Sequence, residues 1–143
     1  LAVLPEPWVT QVIEKNQKVQ VLLDFQQEWQ RIEKQGQTYP QTCIVVNQKF
    51  AAANREFVRL YMKELEDAME WLNRNPEPAG VLGEKHVQIS ANAVRNGLVR
   101  CNLRFANAIQ ARPEIDRFLL RLSELAPNAI GGKLPDEEFY YQP

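Results

Sequence analysis

Apolar and polar positions alternate in two rhythms along the chain, one suited to strands and one to helices. Leu1 to Leu4 is an unbroken apolar run, which reads as a buried strand of the kind found in parallel sheets. Pro5 ends it. Glu6, Pro7 and Trp8 open a helix, with Val9, Val12 and Ile13 on its apolar face and Lys15 and Lys18 near its C-terminal end. Val19 to Phe25 alternates loosely, then turns apolar, and reads as a second strand. Gln26 to Gln37 is polar, with Trp29 and Ile32 as its apolar positions, and fits either a short helix or a crossing segment. Thr42 to Val46 is β-branched and apolar, a strand signal. A short helical turn follows around Lys49 to Ala53.

The clearest helix begins after Asn54. Phe57, Leu60, Tyr61, Leu65, Ala68, Met69 and Leu72 repeat at helical spacing, and charged residues occupy the opposite face. Asn73, Asn75 and Pro76 stop it. A further helix is expected from Pro76 to near Gly83, with Asn75 as its cap. Val87 to Ile89 is short and apolar. Ser90 then caps a helix through Asn96, which Gly97 ends. Leu98 to Phe105 reads as extended. The last long helix starts near Asn107, with Ile109, Ile115, Phe118, Leu119, Leu122 and Leu125 on its apolar face and Pro113 as a point where it splits. Strands therefore gather in the first third and helices in the rest. The expected fold class is α/β, in the form of the tail of one sheet followed by a helical cover.

Composition narrows the function. The chain has 143 residues, enough for one domain with a core, and a formal net charge of −1. That charge argues against a general affinity for nucleic acid, which needs a clustered basic surface. No apolar run is long enough to span a bilayer. His86 stands alone as the histidine, and the two cysteines, Cys43 and Cys101, form no CxxC or Cys/His ladder. No metal, cofactor or catalytic group is therefore expected. The two cysteines fit either a disulfide or two buried free thiols.

Two constellations carry candidate chemistry. Glu6 sits between an apolar strand and a helix start, where α/β proteins bind ligands, and Trp8 beside it offers a ring for stacking. The plainer reading is that Glu6 favours the helix dipole and Trp8 fills core. Arg100, Asn102 and Arg104 alternate with Cys101, Leu103 and Phe105, so an extended segment would present an Arg-Asn-Arg row able to meet a carboxylate, sulfonate or phosphate. The plainer reading there is a solvated edge. Glu6, Trp8, Arg100 and Asn102 are the candidate ligand-binding residues. Trp29 and Trp71 read as packing residues, His86 as an exposed loop residue, and Glu64, Glu66, Asp67 and Glu70 as a solvated helix face.

In order and spacing, LAVLPEPWVTQVIEK and YPQTCIVVNQKFAAANREFVRLYMKELEDAMEWLNRNPEPAGVL resemble solute-binding proteins of ABC importers, of the nitrate, taurine and sulfonate type that also includes thiamine-precursor binders. RCNLRFANA and IGGKLPDEEFYY resemble the closing segments of one lipoprotein-type branch. The resemblance runs through essentially the whole chain, although each motif is short. It implies a type II periplasmic binding protein fold of two α/β lobes joined by a hinge. Residues 1–25 would end lobe two, 26–42 would form a crossover, and 43–143 would be the C-terminal part of lobe one. An N-terminal half of the same protein would supply the rest.

The resemblance further implies an extracytoplasmic protein, periplasmic or at the cell surface, that closes on a small polar or anionic solute and delivers it to a membrane permease. It implies no enzyme activity. Three other readings compete: a ligand-free helical interaction module, the two-lobed effector domain of a transcription regulator, and an enzyme resembling the thiamine-pyrimidine synthase.

Overall fold

The computed structural model describes residues 1–33 and 38–142. Among the described residues 66% are helical and none is in a strand, which corrects the expected α/β class and the type II periplasmic binding protein fold. The α-helices are α1 (Trp8–Lys15), α2 (Phe25–Glu33), α3 (Gln48–Ala53), α4 (Arg55–Arg74), α5 (Pro76–Val87), α6 (Ala91–Cys101) and α7 (Ala108–Leu125). Two 3-10 turns follow, Pro127–Ile130 and Glu137–Phe139. Residues 34–37 of the expected crossover lie outside the described residues.

The correction has a local physical reason for each expected strand. Residues 1–4, 19–24 and 42–46 adopt no helix, yet no strand lies beside them among the described residues to pair their N–H and C=O groups. Their apolar side chains, Val3, Leu22 and Val45 among them, are exposed. Leu98 to Cys101 is the last turn of α6, because the helix that Ser90 caps runs through Gly97 instead of stopping there. Asn102, in the left-handed conformation, closes it. Val87 ends α5, Gln88 adopts the left-handed conformation, and Ile89 is 1% exposed in the core between α5 and α6. Pro113 lies within α7 without splitting it.

The chain divides into two compact units. The first holds Leu1–Leu22 and Lys63–Phe105. Its centre is the α5–α6 pair, and α1 packs on α6. Gly80 allows the close approach of α5 to α6: a Cβ there would stand 2.5 Å from the Ala91 carbonyl oxygen. Ala79, Ala93, Leu98 and Thr10 are buried around this contact.

The second unit holds Leu23–Met62 and Ala106–Pro143. Asn47 caps α3 by accepting from the Lys49 and Phe50 amides, and Asn107 with Gln110 forms a capping box on α7. Gln26 holds Tyr39 by a reciprocal pair, its Nε2 donating to the Tyr39 carbonyl and its Oε1 accepting from the Tyr39 amide. Tyr39 stacks on Phe118 of α7 at 5.4 Å between centroids, and Trp29 of α2 meets both rings. Glu33 accepts from Arg121 Nε at 2.9 Å.

Candidate functional site

The start of α1 and the last turn of α6 bring together residues far apart in sequence. The Glu6–Pro7 bond is cis, and Glu6 lies two residues before the start of α1. Glu6 Oε2 accepts from the Thr10 amide at 3.2 Å and from Thr10 Oγ1 at 2.8 Å. Its other oxygen, Oε1, accepts from Arg100 Nε at 2.6 Å. Arg100 Nη2 donates to Thr10 Oγ1 at 2.6 Å and closes the ring of three side chains. The Glu6 side chain is 8% exposed, whereas that of Arg100 is 43% exposed. The carboxylate is therefore buried and fully partnered. The guanidinium is braced on one edge and open to solvent on the other, with a further terminal nitrogen, Nη1, free of these bonds.

Gly97 makes this geometry possible. A Cβ at Gly97 would lie 2.9 Å from Glu6 Oε2 and 3.2 Å from both Pro7 Cβ and Thr10 Oγ1. Contrary to what its position after Asn96 suggests, Gly97 does not end α6 but serves as the floor on which the Glu6 carboxylate rests. Asn96, one residue earlier, donates to Glu14 Oε1 at 3.1 Å and ties the other end of α1 to α6.

Of the four residues singled out from sequence, Glu6 and Arg100 meet. Trp8, in the first turn of α1, is 45% exposed, which makes its ring available at the surface instead of in the core. Asn102 is exposed beyond the end of α6, its Nδ2 donating to the Arg100 carbonyl at 3.3 Å. The expected Arg-Asn-Arg row does not form, because Arg100 sits in the last turn of α6 facing Glu6 and Thr10, and the chain leaves the helix only at Asn102. Thr10 was missed, although its position four residues after Glu6 at a helix start is a visible signal. Cys101, next to Arg100, has its thiol pushed up by burial and by the Glu6 charge, against an opposing pull from Arg100, so it is a poor nucleophile at neutral pH. Cys43 is exposed, and both thiols are free.

His86 is exposed in the last turn of α5. Among the described residues no group of three or more His, Cys, Asp or Glu side chains is placed to hold a metal ion. No helix among them is long and apolar enough to cross a membrane. A cleft of about 170 Å³ in the first unit is lined by Glu66, Met69, Glu70, Asn73, Leu103 and neighbouring residues, apart from the Glu6 cluster. Comparison with protein-family models, with curated proteins and with solved structures finds no match.

Proposed function

We propose that this chain is a binding component that captures a small polar or anionic solute, and that Arg100 is its principal ligand contact. The observation that carries this reading is the Glu6–Thr10–Arg100 ring. Two residues selected from sequence for ligand binding stand against each other, and the cation of the pair keeps an open edge. A guanidinium fixed on one side loses little freedom when its other side meets an anion. Glu6 and Thr10 then act as positioning groups and not as ligand contacts. Exposed Trp8, at the same helix start, offers a surface for a flat solute.

The motif order gives this reading its setting: a solute-binding component of an ABC importer, acting in the periplasm or at the cell surface and handing its cargo to a membrane permease. A thermal-shift screen with nitrate, taurine and thiamine-type pyrimidines tests it. A ligand present at a hundred times its dissociation constant adds about 2.7 kcal/mol of stability. The reading expects such a gain for one class, reduced in Arg100→Met and in Trp8→Ala. A flat response to the whole panel would favour the ligand-free interaction module, a reading that the exposed apolar face of α4 also supports.

A further inference from the structure

Helix α4 is amphipathic; Phe50 of α3 meets Phe57 edge-on near its start, and much of the apolar side beyond that contact is exposed. Phe57, Tyr61, Ala68 and Trp71 are all exposed, and Leu60 flanks them. With Glu64 they form a stripe at spacings of four, three, four and three residues, the seam of a two-helix coiled coil. Glu64 itself makes no ion pair among the described residues, whereas Glu56 pairs with Arg59, Lys63 with Asp67 and Glu70 with Arg74.

The charges of α4 are also divided along its length. Up to Lys63 it carries Arg55, Arg59 and Lys63 against Glu56 alone, and from Glu64 onward it carries Glu64, Glu66, Asp67 and Glu70 against Arg74 alone. A helix that is basic at one end and acidic at the other is complementary to itself when the copy runs in the opposite direction. We propose that α4 pairs antiparallel with α4 of a second copy of this chain, about a two-fold axis. The paired register sets Phe57 against the second copy's Ala68, and Tyr61 against the second copy's Glu64. The tyrosine hydroxyl then donates to the carboxylate that makes no ion pair among the described residues of its own chain. Each basic half lies along an acidic half. This surface is independent of the Glu6–Arg100 site.

The test uses the full chain with Cys43→Ser and Cys101→Ser as background. In the antiparallel register, Phe57 and the second copy's Phe57 lie about 16 Å apart along the axis, beyond disulfide reach. Phe57→Cys alone and Ala68→Cys alone are therefore expected to stay uncross-linked under mild oxidation, and an equimolar mixture to give a dimer joining the two variants. Sedimentation is expected to show a dimer for the parent chain and a monomer for Ala68→Glu, whose side chain is exposed and takes no part in the chain's own core. A monomeric parent, a dimer that survives Ala68→Glu, or cross-linking of either single-cysteine chain with itself would overturn the proposal.

Discussion

Arg100 Nε donates to Glu6 Oε1 across 2.6 Å and so joins residues ninety-four positions apart, tying the last turn of α6 to the turn that leads into α1. The partners are unequal: the carboxylate is buried and the guanidinium half-exposed. Removing the arginine therefore leaves a buried charge with only Thr10 to satisfy it. Arg100→Met is expected to cost about 1–3 kcal/mol in urea unfolding, and Glu6→Gln less, because the amide still accepts one bond. The double variant is expected to lose less than the sum of the two, by about 0.5 kcal/mol or more. Additive losses would show that the contact adds nothing to stability.

Gly97→Ala tests the floor of the same cluster. Helix propensity alone favours alanine by about 1 kcal/mol. Here the new methyl meets Glu6 Oε2 at 2.9 Å, and the carboxylate is pinned by its bonds. Steric conflict is expected to win, with a net loss of about 1–3 kcal/mol by chemical denaturation. Gly97→Ala as stable as the parent would place Glu6 elsewhere.

The tail after α7 is held by titratable groups. Tyr140 is buried and donates to Asp116, and Arg112 lies over its ring while making paired bonds to Glu137. Burial, with the Asp116 bond and charge adding to it, pushes the Tyr140 phenol up to about 12. A raised folded value stabilises the tail fully below the unfolded tyrosine range near 10, and that stability is lost as pH rises through about 12. In an ultraviolet titration, a late tyrosine component is expected near pH 12, and Tyr140→Phe is expected to remove it.

Glu137 works in the opposite sense. Its bond to Arg112 holds its carboxyl below the ordinary glutamate value. Its contribution is present above that ordinary value and fades as pH falls below it, an acid dependence that Glu137→Gln is expected to lack.

Helices were legible where local signals agreed. The helix start near Asn107, the helical turn around Lys49 to Ala53 and the long periodic run of α4 all stand in the structure near where sequence placed them. Strands were not, because an apolar run specifies burial and not a partner. Val19, Val45 and Leu4 have strand-like neighbours in sequence, but no strand lies alongside in space among the described residues. The site was legible in part. Glu6 and Arg100 carried chemical signals of their own. Thr10 and Gly97 matter through contacts that only the packing of α1 on α6 creates.

Hydrogen exchange reads that difference directly. Backbone amides at 20–24 and 42–46 are expected to exchange within seconds, and those in the middle of α4 and α6 far more slowly. Strong protection at 42–46 in the isolated chain would restore a sheet and contradict the all-helical architecture.

The central claim, that Arg100 receives an anionic or polar solute, is tested most directly by calorimetric titration of the best screening ligand into the parent chain, Arg100→Lys and Arg100→Met. The account predicts saturable binding to the parent, weakening by about tenfold or more in Arg100→Lys, which keeps the charge but loses the planar fork, and further loss in Arg100→Met. Equal affinity in all three chains would contradict it.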